Sequence, residues 1–200
     1  MAVASWMGMT VILDITISLD GFVSAGPESG VEALHEWAVG EGRSPEDIRV
    51  LAAATEATGA VVMGRRTFDV VDGPDGWNED MHYGADQGDV PPPCFVVTHH
   101  APDHVRLTDR MTIVTTGLED ALVQASAAAG DKDVVIMGGG ELGGSALRDG
   151  LVDRLVLHVA PVLLGSGTPL FAGSRATLRL DEAATVLSRN ATHLSYDIER

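Results

Sequence analysis

The chain has 200 residues, one cysteine and a formal net charge of −16. Its length suits one domain over residues 1–200 with a full core, and its acidity excludes a phosphate-backbone reader, which needs clustered Lys and Arg. The lone Cys94 excludes an internal disulfide framework, no run approaches a membrane span, and "MAVASWMGMT" lacks a signal peptide's basic and apolar segments. The expectation is a cytoplasmic protein whose partners are small molecules, with neither nucleic acid nor membrane among them.

Strand-like and helix-like segments alternate, which predicts an α/β domain. "TVILDITI" (Thr10–Ile17) is a β-branched strand interrupted by Asp14. A loop, "SLDGFVSAGPESG", leads to a helix with a Ser29/Glu32 capping-box pattern and Val31, Leu34, Trp37 and Ala38 on one face. Ser44 as N-cap, Pro45 at the first helical position and Glu46 and Asp47 in the first turn predict a second helix that stops at Gly59. A buried strand, "AVVMG" (Ala60–Gly64), runs directly into "RRTFDVV".

Residues 72–93 are rich in Gly, Pro and Asp and carry six acidic residues with no Lys or Arg. A loop longer than about 12–15 residues is either functional or disordered; surface excursion and active-site lid are both open readings. Strands follow at Cys94–His99 and Met111–Thr116, then a helix ending on Gly130 as its C′ glycine. "DVVIM", a glycine turn and a short helix closing at Gly150 come next. The remaining segments read as strands with few helices, so this end of the sheet is predicted to be antiparallel or mixed.

Gly138, Gly140 and Gly143 fit G-x-G-x-x-G between a buried strand and a helix. Missing side chains there let a phosphate approach free backbone N–H groups. A Rossmann unit places this turn after its first strand and an acidic residue about 20 positions on. Here the turn comes two-thirds along the chain, and the next strand ends in "LHVAP". The Rossmann reading fails; phosphate binding survives it. "VVMGRRTF" repeats the logic, with Arg65 and Arg66 offering charge-assisted bonds and Thr67 able to cap and donate. The plain alternative is a capped helix with solvated arginines. Two such turns favour a ligand with a diphosphate.

"AVVMGRRTF", "FVVTHH" and "VVIMGGGEL" resemble, in order and spacing, the cofactor-binding segments of dihydrofolate reductases. "ISLDGFVSAGP" and "VLHVAPVLLGSGTPLF" resemble the reductase domain of the riboflavin-pathway deaminase–reductase, the RibD C-terminal family, and above all its stand-alone bacterial members. The resemblance spans roughly Thr10 to Ser195. It implies an α/β, dihydrofolate-reductase-like fold: a central, mostly parallel sheet with antiparallel C-terminal strands and helices on both faces. It also implies NADPH, with NADH as the alternative, and a homodimer.

On that resemblance, Gly64, Arg65, Arg66 and Thr67 hold the pyrophosphate and the adenosine-side phosphate, with Thr98 and His99 beside the 2′-phosphate. Gly138, Gly139 and Gly140 meet the nicotinamide half and diphosphate, Glu141 and Leu142 open the helix, and Thr16 and the loop Leu19–Val23 cover the nicotinamide. Glu141 departs from the basic residue common there and would repel a 2′-phosphate.

Hydride transfer also needs a proton source. Asp20 is the first candidate, although Asp-Gly is also a common turn pair. Asp14, Glu36 and His158 are candidate substrate contacts, with Glu32 and His35 as further acids on the first helix; His158 reads equally as a packed strand residue. Trp37, Trp77 and Met81 fit either a pocket or ordinary packing. With no C-x-x-C signature for the deaminase half, the expected activity is NADPH-dependent reduction of a pterin- or pyrimidine-like heterocycle, nominally 5-amino-6-(5-phosphoribosylamino)uracil. Dihydrofolate reduction and a non-catalytic nucleotide- or flavin-binding module are the alternatives.

Overall fold

The first strand, β1 (Val11–Ser18), decides by its alternation where everything else packs. Val11, Leu13, Ile15 and Ile17 enter the larger hydrophobic cluster on one face, which leaves Asp14, Thr16 and Ser18 for the other. The structure, a computed structural model, describes residues 9–25, 31–78, 80–87 and 90–199. The Ser29/Glu32 capping box expected from the sequence lies outside the described residues.

β1 is followed by β2 (Phe22–Ser24), α1 (Val31–Val39), α2 (Pro45–Ala57), β3 (Thr58–Gly64) and α3 (Arg65–Val71). Then come β4 (Cys94–Val97), β5 (Met111–Val114), α4 (Leu118–Ala129), β6 (Asp133–Met137), α5 (Gly140–Arg148) and β7 (Arg154–Ala160). The chain finishes with β8 (Thr168–Pro169), β9 (Thr177–Leu180), β10 (Val186–Leu187) and β11 (Thr192–Glu199). The main sheet runs β10-β11-β7-β1-β6-β3-β4-β5, with β9 also on β11. β7 through β5 in that order are parallel, whereas β11 is antiparallel to β7, β9 and β10. β2 and β8 form a small antiparallel sheet. The fold is therefore the mostly parallel sheet with antiparallel C-terminal strands expected from the resemblance.

Period-two alternation in β3 serves both layers. Ala60 and Val62 join Leu122 and Ala125 of α4 and Ala146 of α5 on one face. Val61 and Met63 join Phe68 and Val71 of α3 on the other, the face on which Trp37 of α1 bonds to Thr16. Burial of the Val, Leu, Met and Phe side chains among these contributes about 1.5–3 kcal/mol each.

Several boundaries differ from expectation. Gly59 does not stop α2, which ends at Ala57 with Thr58 as C-cap; it belongs to β3. A Cβ there would meet the Ala129 carbonyl oxygen at 2.5 Å, so a glycine lets β3 pass the end of α4. β4 and β5 end at Val97 and Val114, two residues before the predicted limits. Residues 72–93 are also more docked than a plain surface excursion. Arg106 donates to the carbonyls of Val71, Asp72, Gly73 and Trp77, and Tyr83 is buried in the core beside Phe68.

Candidate functional site

The two glycine-bearing junctions predicted from the sequence converge. β3 and β6 are adjacent and parallel, yet α3 leaves for one face of the sheet and α5 for the other. In an open α/β sheet such a divergence opens a crevice at the carboxyl ends of the strands, where ligands bind. Gly138 and Gly139 lie directly against Thr67, since Cβ atoms on them would meet its Oγ1 at 3.3 and 3.5 Å. A Cβ on Gly64 would similarly meet the Cβ of Leu142 of α5 at 3.5 Å. Arg66 completes the bridge with a 3.2 Å ion pair to Glu141.

Gly138 and Gly139 have φ of +61° and +76°, a conformation that side chains oppose, so the turn needs glycine at both positions. No side chain caps α5, which leaves its first-turn amides available to a ligand. Gly140 departs from the expected role. A Cβ there would sit 2.5 Å from Val23 Cγ2 and 2.9 Å from Thr168 Cγ2, so protein fills the space its missing side chain leaves. Gly143 likewise makes room for Leu13. Val23 thus belongs to the packing behind the turn.

Arg65 pairs with Asp69 at 2.7 Å and reaches the His100 carbonyl oxygen, onto which Thr98 also donates. His99 is exposed at the end of β4. Both arginines therefore border the crevice, each carrying a carboxylate partner. Exposed pairs of this kind contribute about 0–1 kcal/mol and exchange readily for a more strongly charged ligand.

Asp20 is built as an acceptor. Its carboxylate takes the Ser18 hydroxyl at 2.6 Å and the backbone N–H groups of Leu164 and Gly165 at 3.1 and 2.7 Å. The Ser18 bond, followed by the backbone amides, outweighs desolvation and holds the carboxyl below its ordinary value. A carboxylate with both oxygens engaged in this way clips two loops together. A concavity of about 160 Å³ beside it is lined by Leu19, Pro161, Arg189 and Thr192, of which Leu19 alone belongs to the loop expected to cover the nicotinamide.

Asp14 and His158 do come together, with His158 Nε2 2.9 Å from Asp14 Oδ1. Sheet register accounts for it: Thr16, His158 and His193 are opposite one another on β1, β7 and β11, and Asp14 precedes Thr16 by two residues on the same face. Asp14 itself is opposite Met137, the residue before the glycine turn. Trp37 stacks on His158 with ring centroids 3.9 Å apart and donates its indole N–H to Thr16 Oγ1 at 3.0 Å. That contact uses the Thr16 hydroxyl, which was expected to cover the nicotinamide.

Two participants were not singled out from the sequence. His193 approaches His158, Nδ1 to Nδ1, at 2.7 Å, and its Nε2 is 3.1 Å from Asp47 Oδ1. The alternation of buried Ala191, His193 and Ser195 leading into and along β11 was the available signal for His193. Asp47 had none, because its helix-cap role and its histidine contact are separate. Glu36 is not part of this group: it is exposed and folds over the end of α1, accepting from Gly42 N at 3.3 Å. Among the described residues, no group of three or more His, Cys, Asp or Glu is arranged to hold a metal ion, and no helix is long and apolar enough to cross a membrane.

This combination of sheet order and convergent turns defines an α/β domain of the dihydrofolate-reductase-like class. The RibD C-terminal domain matches residues 9–194, and the chain belongs to that family. A protein from Shewanella sp. PV-4 described with riboflavin biosynthesis is 23% identical with a TM-score of 0.68, over 96% of this chain and 100% of its own. A pyrimidine reductase-like protein of Corynebacterium diphtheriae is 16% identical with a TM-score of 0.56, over 100% and 96%. The deaminase/5-amino-6-(5-phosphoribosylamino)uracil reductase of Thermotoga maritima is 12% identical with a TM-score of 0.61; the match covers 96% of this chain but 57% of that one. Such identities carry the fold alone. No curated protein matched. Family membership supports an oxidoreductase of the RibD-like reductase kind.

Proposed function

We propose that the protein is an NADPH-dependent reductase of a pyrimidine- or pterin-like heterocycle, with 5-amino-6-(5-phosphoribosylamino)uracil as its nominal substrate. The observation that carries this reading is the contact between the two junctions, Thr67 against Gly138 and Gly139 with Arg66 tied to Glu141. One diphosphate can lie against both. The residues fit a dinucleotide: two left-handed glycines expose backbone, α5 has an uncapped start, and two guanidiniums stand at the rim.

When bound, NADPH supplies the hydride. Gly138 and Gly139 admit its diphosphate, while Arg65 and Arg66 bind the 2′-phosphate by exchanging Asp69 and Glu141 for it. Thr98 and His99 border the same end. Asp14 stands one strand from the glycine turn and holds the substrate's polar edge, with His158 hydrogen-bonded behind it. Exposed Leu178, Leu180 and Leu187 on the antiparallel edge of the sheet suit a homodimer contact.

The test is NADPH oxidation, followed by absorbance, with the phosphoribosylaminouracil and with dihydrofolate offered separately. We expect turnover of the uracil compound. Turnover of dihydrofolate alone would move the substrate class, and NADPH binding without oxidation of either would favour a non-catalytic binding module.

A further inference from the structure

Asp14, His158, His193 and Asp47 form one unbroken hydrogen-bonded series across β1, β7, β11 and α2, with links of 2.9, 2.7 and 3.1 Å. Each link between heavy atoms at such distances needs a proton. Three links need three protons. Two ionised carboxylates and two neutral imidazoles supply only two, one N–H from each ring. With two alone, at least one link would set lone pair against lone pair inside the protein. The geometry therefore requires one stored proton, whichever way the series is oriented.

We propose that these four residues are a proton store for the reductase, filled at rest and discharged through Asp14 to the substrate heteroatom. The proposal rests on the reductase reading above. Exposure sets the direction of discharge: the side chains of His158, His193 and Asp47 are 2%, 3% and 0% exposed, while that of Asp14 is 19% exposed. Asp14 is also the member next to the glycine turn, through its register with Met137.

The closed end is fixed by its hydrogen bonds. Asp47 Oδ2 accepts Ser44 N–H at 2.8 Å and the Asn190 amide at 3.0 Å, so His193 Nε2 donates to Oδ1. Burial pushes the Asp47 carboxyl up, but hydrogen bonds from Ser188, Ser44 and His193 together hold it below its ordinary value. Burial, reinforced by His158, also depresses His193 and keeps it neutral. Its Nδ1 must then accept from His158 Nδ1–H, and the surplus proton lies between His158 Nε2 and Asp14. The titratable group facing this end from the 72–93 connection is Tyr83, whose phenol burial and then the Asp14 carboxylate push upward. From α1 the facing group is the uncharged Trp37.

In the reaction, the substrate's electrophilic carbon gains a hydride, and the electron pair of its C=N or C=O bond moves to the heteroatom. That atom takes the Asp14 proton, leaving Asp14 ionised, His158 neutral and the store one proton short. Solvent refills it at Asp14, so the sum is substrate, NADPH and H⁺ giving reduced substrate and NADP⁺. Asp14 is the group that touches substrate; His193 and Asp47 position the proton from behind.

Two measurements on the full chain test this. In ¹⁵N-histidine-labelled protein without cofactor, the stored proton should give a low-field resonance coupled to His158 Nε2, beside a scalar coupling between His158 Nδ1 and His193 Nδ1. Asp47→Asn should lower the pH at which that low-field resonance is lost by about one unit. In single-turnover NADPH oxidation it should lower the basic limb of the profile equally, with KM unchanged. Two imidazoles protonated only at Nε2 with no coupling, or a coupled pair with no such resonance at His158 Nε2 at any working pH, would overturn the store. A coupling present with the limb unmoved in both Asp47→Asn and His193→Gln would overturn delivery. Failure of the reductase reading is separate, because it shows as loss of NADPH binding or oxidation while the imidazole spectrum is unchanged.

Discussion

Single atoms decide several roles at this site. Gly140 shows it most simply: its absent side chain is replaced by Val23 and Thr168. Gly140→Ala should lower stability by about 1–3 kcal/mol through overpacking, read from urea unfolding; a neutral result would mean that β2 yields without strain. Acid sensitivity follows from His193 and Asp47. As His193 is depressed in the folded state, the unfolded chain takes up its proton first. Its contribution is complete above its unfolded value of about 6.5 and declines as pH falls below it. Asp47, also depressed, contributes fully above about 3.9 and is lost as pH falls through its lower folded value. Stability should thus decline in two stages on acidification, and His193→Gln should remove the first. Asp14, His158 and the glycine junction were readable as residues of interest because each breaks an apolar run or follows one. His193 and Asp47 were not, because a contact 146 positions apart depends on strand register that no local pattern states.

Elements differ in how their ends are satisfied, and the difference follows function. α2 is closed by a reciprocal pair: Ser44 Oγ accepts from Asp47 N–H at 3.1 Å and the Asp47 carboxylate accepts from Ser44 N–H at 2.8 Å. α5 has no side-chain cap. Ser44→Ala should therefore cost about 1 kcal/mol of stability while leaving NADPH-induced stabilisation intact; loss of that stabilisation would place α2 in the cofactor site. The start of α2 was legible because Ser-Pro-Glu-Asp is a local signal. Its end was misread because Gly59 serves clearance against Ala129, a tertiary requirement that looks like a helix stop in sequence. The part Asp20 plays in joining two loops was not legible for a related reason. "SLDG" shows a carboxylate beside a glycine but not the distant loop whose Leu164 and Gly165 amides it holds.

The whole molecule joins these pieces by connectivity. Two neighbouring parallel strands send helices to opposite faces, and both glycine junctions lie at their carboxyl ends, where such a divergence opens a crevice in α/β sheets. Strand alternation and the two glycine turns were enough to anticipate the α/β class, and the run of late strands an antiparallel or mixed end, while the order of the strands had no local signal. Pairing of Arg66 with Glu141 makes the cofactor preference a contest between a 2′-phosphate and a carboxylate already in place. The most direct measurement is thermal unfolding with NADPH and with NADH, for the natural chain and for Arg65→Ala/Arg66→Ala. At a hundredfold excess over its Kd, NADPH should add about 2.7 kcal/mol, or roughly 5–10 °C in Tm for a chain of this size. NADH should add less, and the double variant should lose the NADPH shift. An undiminished shift in the double variant would contradict the claim that the two junctions clasp one dinucleotide.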